Sequence, residues 1–264
     1  MTQRPRGGPA VPHPTPAGPG LILRSTALWT ASVLHFFPVG AALVAMGTVV
    51  DPRRFDPLVR LFMRNQLRLT GARLEVRRAS GFDPDRTCVF ACNHVNIFDP
   101  FTAYSVVPQF LRGLELESHF RVPVYGWMME RFGNVPVPER RTPSALREMT
   151  RRARATLHAG TSLLVFPEGG RTRTGSLGRF HLGAFRMARE AGVPVVPMTQ
   201  EGAFRIQRVG SRVLRPGTIT VHLHEPLETE GRSPAGDGEL RDLAWEAING
   251  PLREAEAGSP PETA

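Results

Sequence analysis

Apolar residues in this chain of 264 residues occur in short runs, separated by longer segments with helical periodicity. The short runs predict β-strands at residues 72–78, 88–92, 110–116, 162–166, 193–198 and 219–223. Helical periodicity and helix-start signals predict helices at residues 56–70, 101–107, 120–132, 143–159, 182–191 and 239–254. Because strands alternate with helices, the pattern predicts an α/β fold with a mixed, largely parallel sheet flanked by helices.

The N-terminal part of the chain has a different pattern. Residues 1–20 are rich in Pro and Gly and lack periodicity, which predicts a disordered tail. Residues 25–50 carry no formal charge, and a segment of this length can span a bilayer. Pro38 and Gly40 divide it, which is compatible with a helical hairpin dipping into one leaflet and, nearly as well, with a single kinked span. A secretory signal that follows Arg24 and a plain buried helix are two further interpretations.

The predicted helix at 56–70 carries a basic stripe. Arg60, Arg64 and Arg68 recur every four residues, whereas Leu58 and Leu61 lie elsewhere on the helix. An ordinary solvated surface explains this pattern nearly as well as a membrane does. Next to the uncharged segment, however, the stripe favours contact with an anionic membrane surface, so residues 21–70 are interpreted as a membrane-associating helical segment.

Composition narrows the range of partners. The net charge is +9, and all 33 basic residues are arginines, which bind phosphate through a bidentate fork. This balance favours an anionic partner, but the chain contains no recognised nucleic-acid-binding module. A hydrophobic fraction of 41% is too low for a protein with several membrane spans. Cys88 and Cys92 share one face of a predicted strand and indicate buried thiols rather than a disulfide or a zinc site.

The stretch from residue 88 to residue 100 contains candidate chemistry. A buried strand delivers His94 to its end, and Asp99 follows five residues later, directly before Pro100. Residues five apart on one helix do not face each other, so these two side chains meet only if the chain turns between them. Asp99 as a helix N-cap, with Pro100 as the first helical residue, would provide that turn. A carboxylate bound to one ring nitrogen leaves the other free to act as a base; a core histidine held by a local aspartate is the alternative.

Four sequence blocks in order resemble the glycerolipid acyltransferase family, whose best-known class is the 1-acylglycerol-3-phosphate acyltransferases. The first is Asn-His-x-x-x-x-Asp-Pro at 93–100, and the third is Phe-Pro-Glu-Gly-Gly-Arg-Thr at 166–172. Between them, residues 133–140 resemble the family's Gly-x-Ile-x-Ile-x-Arg block, and residues 193–197 resemble its Val-Pro-Val-x-Pro block. The resemblance covers roughly residues 55 to 228 and implies the fold of the glycerol-3-phosphate acyltransferases.

The resemblance also implies a reaction. An acyl group would pass from acyl-CoA or an acyl carrier protein to the free hydroxyl of a lysophospholipid, with lysophosphatidate as the favoured acceptor and with no metal or bound cofactor. His94 would be the general base and Asp99 its orienting partner. The residues expected to bind the acceptor are Arg140, Glu168, Gly169, Gly170 and Arg171. Acylation of another lysolipid or glycolipid is one alternative, and a non-catalytic protein that binds anionic lipids is another.

The chain departs from the family pattern at a few positions. Arg141 competes with Arg140 because the arginine block carries one extra residue. Glu117 and His181 stand in neighbourhoods where a lysine is common in the family. The resulting organisation is a tail at 1–20, the membrane-associating segment at 21–70, an acyltransferase domain at 71–230, and a C-terminal linker, helix and tail at 231–264. We expect the protein to lie at the cytoplasmic face of the cell membrane.

Overall fold

The computed structural model describes residues 17–257, so residues 1–16 of the predicted tail and residues 258–264 lie outside the described range. The helices are α1 Pro19–Met46, α2 Asp56–Thr70, α3 Asp99–Val106, α4 Tyr125–Arg131, α5 Pro143–His158, α6 Gly183–Ala191, α7 Ala203–Ile206 and α8 Asp237–Ala257. The strands are β1 Ala72–Arg78, β2 Val89–Cys92, β3 Leu111–Leu116, β4 Val135–Val137, β5 Ser162–Val165, β6 Val195–Glu201 and β7 Gly217–Leu223. Short 3₁₀ helices cover Pro52–Phe55, Glu117–Arg121 and Pro234–Gly236.

The strands form one sheet in the order β1-β7-β6-β2-β5-β3-β4. Strands β2 to β6 all run parallel to one another. Strand β7 is antiparallel to β6, and β1 at the edge is parallel to β7. The prediction of a mixed, largely parallel sheet flanked by helices is therefore confirmed.

Side chains on β2 alternate between two hydrophobic cores. Cys88, Phe90 and Cys92 pack with α1 to α4 on one face, and both thiols are free and buried. Val89 and Ala91 pack with α5, α6 and α8 on the other face. Because both faces of the sheet are covered, its central strands read as continuous apolar runs in the sequence.

A crevice forms where the chain leaves β2 and β5, which are neighbours at the centre of the sheet. From β2 the chain passes through α3 to β3, which lies beyond β5, whereas from β5 it passes through α6 to β6, which lies beyond β2. The two connections leave in opposite directions, and α3 and α6 pack on opposite faces of the sheet. Ligands of open α/β sheets bind at such a switch point, outside the carboxyl ends of the strands.

The predicted break at Pro38 and Gly40 does not occur, and a helical hairpin is therefore wrong. Helix α1 runs continuously from Pro19 to Met46 with Pro38 inside it. A Cβ on Gly40 would lie 2.9 Å from Val124 and 3.0 Å from Met128, so the missing side chain lets α1 approach α4 closely. Within residues 17–257, α1 is the one helix long and apolar enough to cross a membrane, judged by length and composition alone.

One arginine of the basic stripe of α2 is held inside the protein, and the other two are exposed. Arg60 pairs with Asp56 at 2.5 Å and donates to main-chain carbonyls at the end of α3, among them that of Gln109 at 2.7 Å. Arg64 donates to the carbonyl oxygen of Ser105 at 3.3 Å. These hydrogen bonds follow from the tertiary structure, because α3 ends beside α2 and presents carbonyl groups that lack partners within the helix. Arg60 therefore stabilises the fold by joining α2 to the chain at the end of α3.

Several predicted boundaries also shift. A helix was expected over 120–132, but α4 begins only at Tyr125, because Val124 adopts φ 63° directly after Pro123. Strand β6 was expected to end at Met198, yet it continues to Glu201 because its polar residues are hydrogen-bonded inside the protein. The sequence analysis missed β4, whose prolines conceal it and which lies at the sheet edge, where proline is tolerated.

A hydrogen-bonded cluster joins β6, β7 and α8. Nε2 of His224 lies 2.8 Å from the hydroxyl oxygen of Thr199, and that hydroxyl donates to the carbonyl oxygen of Ile248 at 3.1 Å. Burial lowers the pKa of His224 from its ordinary 6.5 to about 4, with the neighbouring His222 as a smaller cause. The folded protein therefore keeps this imidazole neutral at physiological pH.

We expect His224 to make the stability of the protein depend on pH. The pKa of His224 is lower in the folded protein than in the unfolded chain. Its contribution to the stability of the folded state is therefore complete above pH 6.5 and is lost as the pH falls towards 4. In His224→Gln, whose amide can still donate to Thr199, the thermal midpoint should fall less steeply over this range. Thermal unfolding followed by circular dichroism checks this, with the exposed His158→Gln as a control that keeps the wild-type slope. A wild-type slope in His224→Gln would contradict the assignment.

Candidate active site

The loop after β2 brings His94 and Asp99 together. Nδ1 of His94 lies 2.8 Å from Oδ2 of Asp99, which is fully buried. The same carboxylate oxygen accepts hydrogen bonds from the backbone N–H groups of Val95 and Asn96. Three donors therefore converge on one oxygen, and they turn the chain back on itself between the two side chains.

The start of α3 differs from the sequence expectation. Asp99 is the first residue of the helix rather than its N-cap, and Pro100 is the second. The carboxylate does not cap α3 because it is engaged by the loop that precedes the helix. The predicted contact with His94 is nevertheless present.

The second nitrogen of His94 is available for chemistry. Within residues 17–257, Nε2 of His94 has no hydrogen-bond partner, and about 21% of the side chain is exposed. The imidazole stacks on Phe166 with ring centroids 4.1 Å apart and an angle of 16° between the rings. Asp99 and Phe166 thus fix the orientation of the ring and leave its second nitrogen without a partner among the described residues.

Glu168 holds the main chain of the site. Its Oε1 accepts from the backbone N–H of His94 at 2.7 Å, and its Oε2 accepts from that of Gly178 at 2.8 Å. Burial raises the pKa of Glu168 above its ordinary value, and these two hydrogen bonds oppose that rise. Glu168 therefore joins the residue at the end of β2 to the loop after β5, and it also lines the cavity described next.

The loop between β5 and α6 forms the rest of the site. It borders a cavity of about 410 Å³ whose lining includes Glu168, Gly170, Arg171, Thr172 and Arg179. Its backbone is also tied to the histidine, because the Thr172 N–H donates to the carbonyl oxygen of His94 at 2.8 Å. An exposed guanidinium at Arg171 next to an open glycine backbone is an arrangement that binds phosphate.

Gly169 shapes this loop through its backbone. It has φ +72°, in the left-handed region that favours glycine, and a Cβ there would lie 3.2 Å from the ring of His181. His181 therefore packs directly against the loop. Arg179 and His181 were not among the predicted site residues, although the dense arginines after the Gly-Gly pair were a signal that could have indicated Arg179.

Arg140 lies at the same edge of the sheet but away from His94. It follows the carboxyl end of β4, which is parallel to β2 and three strands distant in the sheet. With strands about 4.8 Å apart, this places the two strands roughly 14 Å from each other. Arg140 and Arg141 are both exposed, and the described hydrogen bonds connect neither of them to Arg171. The structure thus joins His94, Asp99 and Glu168 by direct contacts but does not join Arg140 to them.

A buried amide network supports the histidine loop, and sequence reasoning missed it. The Asn93 side chain accepts from the Gln200 N–H at 2.8 Å and donates to its carbonyl at 3.3 Å, which ties β2 to β6. The Asn96 side chain donates to the Ala203 carbonyl at 2.9 Å. Gln200 also donates to the carbonyl oxygen of Asp99 at 3.3 Å. Only the position of Asn93 beside His94 was visible in the sequence.

The arrangement supports proton abstraction from a hydroxyl beside an anion-binding loop. A histidine whose Nδ1 is held by a buried carboxylate can accept a proton at Nε2. Within residues 17–257, no group of three or more His, Cys, Asp or Glu residues is arranged to hold a metal ion.

Comparisons with known proteins identify the family. Residues 73–201 match the family model described as Acyltransferase, a range that contains every candidate site residue named above except the partners from α7. A chloroplastic 1-acyl-sn-glycerol-3-phosphate acyltransferase of Brassica napus is 36% identical over 144 residues, which cover 54% of this chain and 41% of the relative. Residues 73–201 therefore form an acyltransferase domain.

Two further acyltransferases are similar to this chain over most of its length. The 1-acyl-sn-glycerol-3-phosphate acyltransferase of Pseudomonas aeruginosa is 27% identical over 235 residues, which cover 84% of this chain and 90% of the relative. The crystal structure of the 1-acyl-sn-glycerophosphate (LPA) acyltransferase from Thermotoga maritima shares the fold, with a TM-score of 0.78 and 21% identity over 92% of this chain and 98% of that chain. The chain spans about half the length of three plant and algal relatives that it matches, between 40% and 53% of each.

We expect removal of the Glu168 carboxylate to loosen the loop while the fold is retained. In Glu168→Ala, the amides of His94 and Gly178 lose their acceptor, and a lost buried hydrogen bond should speed their exchange by about tenfold or more. Hydrogen–deuterium exchange measured by mass spectrometry checks this in peptides that cover both residues. The exposed Glu246→Ala in α8 is the matched control. Unchanged exchange of both peptides would show that Glu168 does not hold the loop.

Proposed function

We propose that this acyltransferase transfers a fatty acyl group from a thioester donor to the free glycerol hydroxyl of lysophosphatidate, giving phosphatidate. The observation that carries the proposal is the contact between His94 and Asp99, which leaves Nε2 open beside the Arg171 loop. The names of the relatives from Brassica napus and Pseudomonas aeruginosa support the acceptor, because both are 1-acyl-sn-glycerol-3-phosphate acyltransferases.

The proposed reaction proceeds in two steps on one bound pair of substrates. Nε2 of His94 takes the proton from the acceptor hydroxyl as its oxygen attacks the carbonyl carbon of the thioester. The tetrahedral intermediate then collapses with cleavage of the C–S bond, and the proton passes from the imidazole to the departing thiolate. Asp99 positions His94 and stabilises the imidazolium between the steps. The step needs no metal or bound cofactor, because the pair supplies both the base and the acid.

Arg171 is proposed to bind the phosphate of the acceptor. Its guanidinium offers a bidentate fork, and the backbone at Gly169 and Gly170 lets a phosphate approach closely. Arg140, at the same edge of the sheet, is proposed to contact the acceptor from the far side of the crevice. Glu168 is a positioning residue that holds the loop in place.

The catalytic role of His94 is tested by thiol release from acyl-CoA with lysophosphatidate as acceptor. His94→Ala should lower kcat by about a thousandfold, within the range known for loss of a general base, and Asp99→Asn by less. In Asp99→Asn, the amide oxygen can still accept hydrogen bonds from the loop amides. This variant therefore removes the negative charge beside His94 while it keeps the shape of the loop. His158→Ala on α5 should retain full activity. Activity in His94→Ala within tenfold of wild type would overturn the mechanism.

A panel of acceptors tests the substrate. We expect lysophosphatidate to be used better than neutral lysolipids, because an arginine can bind its phosphate monoester with a full fork. Each acceptor is assayed with acyl-CoA and with an acyl carrier protein thioester, which also determines the donor. Equal or better activity on a neutral lysolipid or a glycolipid would assign the enzyme to that acceptor instead.

Membrane association is proposed to occur through α1. This helix exposes Leu23, Leu34 and Phe37 to 73%, 69% and 45%, and such a face can enter the interfacial region of a bilayer. The opposite side of α1 is attached to the domain along its length: the Trp29 indole donates to the Arg212 carbonyl at 2.7 Å, and the Ser32 hydroxyl donates to Gln66 at 2.5 Å. These contacts favour a helix that lies in one leaflet, at the cytoplasmic face where acyl-CoA is available.

Charged substitutions on the exposed face of α1 should release the protein from membranes. Leu34→Glu places a charge where we propose that hydrocarbon lies, so it should lower binding to phospholipid vesicles by about tenfold or more. Leu243→Glu, on the exposed face of α8, is the matched control and should bind like wild type. Vesicle flotation measures both variants, and equal binding of Leu34→Glu and wild type would contradict this placement of α1.

A further inference from the structure

A second cavity, of about 460 Å³, lies between α2, β1 and the end of α3. None of its lining residues belongs to the site around His94. Its lining combines apolar side chains with four arginines, Arg64, Arg68, Arg73 and Arg78, all of them exposed. No carboxylate lines it. We refer to this cavity as the arginine groove.

The arginines of the groove are not neutralised by the protein. Several arginines elsewhere in the described chain pair with acids, as Arg60 does with Asp56 and Arg86 with Glu228. None of the ion pairs between residues 17 and 257 involves an arginine of the groove, where Arg64 and Arg68 donate only to neutral oxygens. Four like charges around one groove create a positive potential that attracts an anion.

The chemistry of the groove points to an anionic amphiphile. Its interior is formed by Leu67, Leu74, Val76 and Val106, and Val76 is 37% exposed. Apolar walls next to permanent charges match a phosphodiester headgroup and the upper part of its acyl chains. A free phosphate or an acidic peptide would use the arginines but leave the apolar walls in contact with water.

The position of the groove favours a lipid for a second reason. Arg64 and Arg68 are exposed on α2, and the same helix exposes Leu58 and Leu61 to 48% each. Helix α2 packs beside α1 through the contact between Ser32 and Gln66, so both helices expose apolar residues on the same side of the sheet. A bilayer that contacts this side brings its headgroups close to the arginines of the groove.

We propose that the arginine groove binds the headgroup of an anionic phospholipid, at a site separate from the acceptor site. This inference rests on the proposed membrane association through α1 and α2 and adds a charge requirement to it. Apolar contacts of α1 attach the protein to any bilayer, whereas the groove strengthens the attachment where the surface is anionic. The enzyme would thereby be concentrated on membranes rich in acidic lipids.

The test compares vesicles of phosphatidylcholine with vesicles that contain equal amounts of phosphatidylcholine and phosphatidylglycerol. The full chain should bind the anionic vesicles more tightly than the neutral ones. The double variant Arg68→Gln/Arg78→Gln should have a partition coefficient for the anionic vesicles about thirtyfold lower than that of wild type, as expected for two surface arginines. Binding to the neutral vesicles should not change. Arg147→Gln/Arg154→Gln, on α5 at the opposite face of the sheet, makes the same charge change and should bind like wild type.

Two further measurements keep failure of the groove distinct from failure of the proposed function. Acyl transfer to lysophosphatidate in detergent micelles should be unchanged in Arg68→Gln/Arg78→Gln, and Arg68→Lys/Arg78→Lys should retain most of the vesicle binding. Wild-type binding of the glutamine variant to anionic vesicles would overturn the proposal. So would lost micellar activity, or a defect seen only with an acyl carrier protein donor, which would identify an acidic protein as the occupant.

Discussion

The site depends on one oxygen atom, Oδ2 of Asp99, which receives the Nδ1 group of His94 and two backbone N–H groups. Hydrogen bonds to a carboxylate are stronger than those between neutral groups, and here all three act in a buried environment. The same atom therefore holds the turn of the chain after β2 and leaves the second ring nitrogen of His94 free among the described residues. The shape of the loop and the proposed proton transfer depend on the same interaction.

A second buried carboxylate completes the arrangement from the neighbouring strand. Glu168, after β5, accepts from the backbone of His94 and from Gly178 across its own loop. Because β2 and β5 are adjacent and parallel, their carboxyl ends deliver the histidine and the glutamate to the same crevice. The two acids thus have different roles. Asp99 orients the imidazole, and Glu168 connects the backbone of His94 to the loop that carries Arg171.

The arginines of this chain serve three purposes that its net charge of +9 does not distinguish. Arg60 binds carbonyl groups at the end of α3 and stabilises the fold. Arg171 stands on the loop beside His94, where we propose that it binds the acceptor. The arginines around the groove on α2 and β1 have no acidic partners among the described residues, and their charge is available to an anionic surface. Position in the fold, rather than residue type, decides which purpose each arginine serves.

The sequence by itself determined the alternation of strands and helices, the acyltransferase family, and the contact between His94 and Asp99. These features are local or periodic: a buried strand followed by a five-residue turn admits few arrangements. Only the tertiary structure decided that α1 is continuous through Pro38 and packs closely against α4 at Gly40, because such a contact joins residues far apart in the sequence. It also decided the partners of Glu168 and Gln200, because those contacts join residues 74 and 107 positions apart, and no local pattern specifies them. Sequence spacing thus identifies groups that meet within one turn, whereas contacts between strands depend on the order in which the sheet assembles them.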